Sequence, residues 1–99
     1  MLKIKRTIGF KIYNNKGRNK IKNIVKYKAL HYLVSTENTF DRGWETMIFE
    51  TTQTGNVDKV DKIDFKKVNF MDLYVEYHLR EHDAFDRHHM IVKEIKKYL

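Results

Sequence analysis

Trp44-Glu45-Thr46-Met47-Ile48-Phe49-Glu50, near the middle of the chain, is its most apolar short run with strand chemistry. Two-residue alternation puts Trp44 and Ile48 on one face and Met47 and Phe49 on the other. A strand with large apolar groups on both faces belongs inside a sheet, covered on at least one side. The expected arrangement turns Met47 and Phe49 toward the covering element, and Glu45 with them.

The covering element is at the far end of the chain. Ala84, Phe85, His88, Ile91, Val92, Ile95 and Leu99 recur at spacings of three and four, which predicts one helix over 81–99 with a single apolar stripe. Glu81, Asp83 and Asp86 open it and Lys93, Lys96 and Lys97 close it, a distribution that complements the helix dipole.

Working back from there, residues 70–78 alternate Met71, Leu73, Val75 and Tyr77 against Asp72, Tyr74, Glu76 and His78, an amphipathic strand. Residues 57–67 read as one helical turn or an irregular connection. The polar run 37–43 reads as a short hairpin loop. Residues 24–35 read as a strand, with a basic helix over 18–30 as the competing reading. Leu2, Ile4, Ile8, Phe10 and Ile12 share one parity, which predicts a strand over 2–13, and Asn14-Asn15-Lys16-Gly17 predicts a hairpin tip. The fold expected is α+β: an antiparallel sheet of about four strands with one long C-terminal helix packed on one face, in a single domain spanning 1–99.

Composition narrows the function classes. The chain of 99 residues has no Cys, which excludes disulfides and thiolate zinc sites. No apolar run approaches the ~20 residues of a membrane span, and the first residues lack a signal core, so a cytoplasmic protein without membrane contact is expected. The net charge is +7. Residues 1–36 hold no Asp or Glu, but carry Lys3, Lys5, Arg6, Lys11, Lys16, Arg18, Lys20, Lys22, Lys26 and Lys28. Such one-sided charge points to an acidic partner, either nucleic acid or an acidic protein surface.

No residue set names a reaction. Ser35 is the only serine and no nucleophile elbow surrounds it; no glycine-rich phosphate loop occurs. His78 and His82 are four apart, but fall at a strand end and a helix start, which breaks chelating spacing. We therefore expect no enzyme, no metal and no cofactor. His88 lies on the helix's apolar stripe, and Glu45 is its natural partner if the Met47 parity faces the helix, forming a structural polar pair. The candidate binding surface is the basic one: Lys3, Lys5, Arg6, Lys11, Lys16, Arg18, Lys20 and Lys22. These side chains could track a phosphate backbone, or simply solvate the open face of the sheet.

Ser35-Thr36, Glu45-Thr46-Met47-Ile48-Phe49, Tyr77, and the Ala84, His88 and Val92 series together resemble a loose group of small phage and prophage proteins. Members of that group share a Glu-Thr-Met-(Val/Ile)-Phe strand and a final Ala-x-x-x-His segment. The resemblance implies a viral or mobile-element origin and a setting in the host cytoplasm. It carries over no catalytic residue. The expected function is a small binding protein acting on a host protein or protein–nucleic acid complex, as an inhibitor of a nucleic-acid enzyme or of a defence system such as CRISPR. The alternative is a nucleic-acid-binding module built on the basic N-terminal segment.

Overall fold

The computed structural model of the chain describes residues 20–39, 41–54 and 63–99. The strand expected over 2–13 and its tip at 14–17 lie outside the described residues.

Strands β1 (Lys20–Tyr27), β2 (Leu30–Asn38), β3 (Trp44–Thr51) and β4 (Val68–His78) form one antiparallel sheet in chain order. Helix α1 (Glu81–Lys93) packs on one face. The α+β architecture is thus as expected, and β3 is an inner strand, paired with β2 through Ser35↔Met47 and with β4 through Met47↔Val75.

β1 and β2 resolve the ambiguous segment as strand rather than helix. They also divide it, because Lys28 and Ala29 form a two-residue turn between Tyr27 and Leu30. Lys28 adopts φ 58°, a left-handed conformation that glycine or asparagine normally supplies. Without either residue there, the turn is silent in the sequence.

The facing of β3 is the reverse of the expected one. Trp44, Thr46 and Ile48 face α1, and Glu45, Met47 and Phe49 face away. Trp44 meets Phe85 of the helix edge-on, ring centroids 5.3 Å apart. Ile48 packs with Tyr32, Val34, Tyr74, Ile91 and Ile95 in the core beneath the helix. Fully burying a side chain such as Ile91 contributes about 1.5–3 kcal/mol. Phe49 belongs to a second, smaller core with Ile24, Leu33 and Ile63 on the opposite face.

The strand β4 explains the reversal. Its polar parity, Tyr74, Glu76 and His78, is the one buried under α1, while Met71 and Leu73 are exposed. Arg87 of the helix meets Glu76 there, so the two charges satisfy one another instead of facing water. The register also slips: Ile48 pairs with Tyr74 but Glu50 pairs with Asn69, so Phe70–Leu73 bulge opposite Phe49 alone.

The C-terminal helix is shorter than its periodicity predicts. Glu94 leaves helical geometry at φ −123° and ψ 45°, and a 3-10 turn follows over Ile95–Tyr98. That turn still delivers Ile95 to the core and sets Tyr98 edge-on to Tyr74 at 5.1 Å.

Candidate functional site

The two faces of the sheet carry different chemistry. Beneath α1 is a set of buried polar groups. Glu76 is fully buried, and its carboxylate accepts four hydrogen bonds. Tyr74 OH (2.5 Å) and Arg87 Nη2 (2.8 Å) donate to Oε1, and His78 Nε2 (2.6 Å) and Arg87 Nε (2.8 Å) donate to Oε2. Burial alone would raise the Glu76 pKa, but the hydrogen bonds from Arg87, His78 and Tyr74 outweigh it and hold the carboxyl well below its usual range. The Tyr74 phenol is pushed up by burial and by the Glu76 charge. His78 Nδ1, buried, has no partner among the described residues.

Next to this set, His88 bridges the helix to β1 and β2. Its Nδ1 lies 2.8 Å from Thr36 Oγ1 and its Nε2 2.8 Å from Asn23 Oδ1. A neutral ring satisfies both when Nε2–H donates to Asn23 and Nδ1 accepts from the Thr36 hydroxyl, which in turn accepts from Thr46 at 2.7 Å. Burial pushes the imidazole pKa down to about 3, and the nearby charges of His89 and Lys22 act in the same direction. The expected Glu45–His88 pair is not formed. Glu45 lies on the opposite face, across from Glu37 and Tyr77, with Arg42 Nη2 3.8 Å from its carboxylate. The reason is the reversed facing of β3; Thr36 and Asn23 are the partners that His88 requires.

On the other face, Lys22 is buried, and its Nζ donates to Ser35 Oγ at 2.6 Å and to the Glu37 carboxylate. Burial lowers the ammonium pKa, with Glu37 acting against that shift. Lys22 therefore leaves the basic surface assigned to it from the sequence and becomes an internal cation. Lys20 is exposed at the start of β1, opposite Glu37. Lys3, Lys5, Arg6, Lys11, Lys16 and Arg18 lie outside the described residues.

Lys22, Ser35, Glu37 and Glu45 edge a cavity of about 130 Å³ whose apolar lining is Leu33, Met47, Phe49, Phe65 and Phe70. Phe70 is edge-on to Phe49 at 5.3 Å and stacked with Phe65 at 6.1 Å. Phe65 is 50% exposed, Phe70 56%, and Met71 beyond them 75%. The β4 bulge puts Phe70 at the cavity's margin, beside Phe65. The sequence carries one trace of this site: Phe65 in a segment without clear periodicity, and Phe70 at the start of the alternating one.

Among the described residues no group of three or more His, Cys, Asp or Glu side chains could hold a metal ion, and no helix is long and apolar enough to cross a membrane. His82 and Asp86 form only an exposed pair at 3.2 Å. Comparison of the chain with protein-family models, curated proteins and solved structures finds no match.

Proposed function

We propose that this chain is a small, non-catalytic binding protein of phage or prophage type that occupies a host protein through the sheet face opposite its helix. One observation carries the reading: a cavity on that face with an exposed aromatic margin, Phe65 and Phe70, set opposite a helix-covered face whose Glu76 carboxylate is engaged by Arg87, Tyr74 and His78. Exposed aromatic side chains around a small pocket are the anatomy of an interaction hot spot. The resemblance to phage proteins and the one-sided charge support a host nucleic-acid enzyme or defence complex as the target. The test is capture from host lysate by the immobilised chain and by its Phe65→Ser/Phe70→Ser variant. A protein retained by the parent and absent from the variant supports the reading; equal recovery on both counts against it.

A second reading is direct nucleic-acid binding through the basic N-terminal segment, favoured by ten Lys and Arg and no Asp or Glu in residues 1–36. Phosphates pair with such side chains. A gel-shift titration over salt decides it: affinity that falls steeply as salt rises supports it, and no shift at low salt removes it.

A further inference from the structure

We draw no further inference here: the strongest candidate, the cavity on the sheet face opposite α1 with Phe65 and Phe70 at its margin, sets Lys22 against the carboxylates of Glu37 and Glu45, and nothing in the structure shows what covers it.

Discussion

Arg87 grips Glu76 with two nitrogens, Nε to Oε2 and Nη2 to Oε1, both at 2.8 Å. The fork joins α1 to β4, and Tyr74 and His78 complete the carboxylate's shell. Removing one member of a buried pair leaves the other uncompensated, so Glu76→Gln should cost about 3–5 kcal/mol in urea denaturation. Arg87→Met should cost a comparable amount, and the double variant much less than their sum. Additive losses would mean the pair does not act as a unit.

His88 sets an unusual acid limit. Its pKa falls from 6.5 in the free group to about 3 in the fold, so the unfolded chain binds the proton first. A depressed pKa contributes stability that is full above pH 6.5 and declines as pH falls toward 3. Glu76, starting from 4.5 and depressed in the fold, adds loss of the same sign at lower pH. Stability should therefore begin to drop below about pH 6.5, by up to about 1.4 kcal/mol per unit from His88. A His88→Gln variant, less stable at neutral pH, should show its decline only from about pH 4.5. Denaturation at a series of pH values measures both; an identical onset in the two proteins refutes the assignment.

Lys22 and Glu37 are not equivalent partners. Glu37 is half exposed and can be hydrated when alone, whereas Lys22 cannot. Lys22→Met should change stability by less than about 1 kcal/mol, because a buried cation is replaced by an apolar group of similar length. Glu37→Gln leaves the ammonium with a weaker acceptor and should cost about 1–3 kcal/mol. Melting curves of the two variants would expose the asymmetry, and the reverse order would contradict it.

Lys28 occupies a left-handed turn position at φ 58°, with its exposed ammonium 5.4 Å from the centroid of the Tyr27 ring. Glycine there removes a backbone strain of about 1–2 kcal/mol but adds entropy to the unfolded chain. Lys28→Gly should raise stability by about 0.5–1 kcal/mol, and Lys28→Val should lower it. Loss of stability in the glycine variant would place the strain elsewhere.

Several of these features were legible in the sequence and several were not, for physical reasons. The bounds of β3 and the start of α1 follow from strong two-residue and helical periods. The facing of β3 does not, because Trp44 and Ile48 balance Met47 and Phe49, and nothing local breaks the tie. The tie is broken by Arg87, 37 to 43 residues further along the chain, which makes the Glu76 parity of β4 the inner one. The rule that polar residues face water fails when they can face each other. The β1–β2 turn is hidden because Lys28-Ala29 lacks turn chemistry. The cavity is hidden because Phe65 and Phe70 come together only through the β4 bulge.

The division of labour between the two faces is tested most directly by comparing partner capture with stability in two variants. Phe65→Ser/Phe70→Ser alters the face opposite α1, and Glu76→Gln alters the face beneath it. The first variant should melt near the parent temperature but lose the captured host protein. The second should melt well below the parent, yet retain the partner at temperatures where it remains folded. Capture that survives loss of both phenylalanines, or that vanishes from folded Glu76→Gln, would contradict that division.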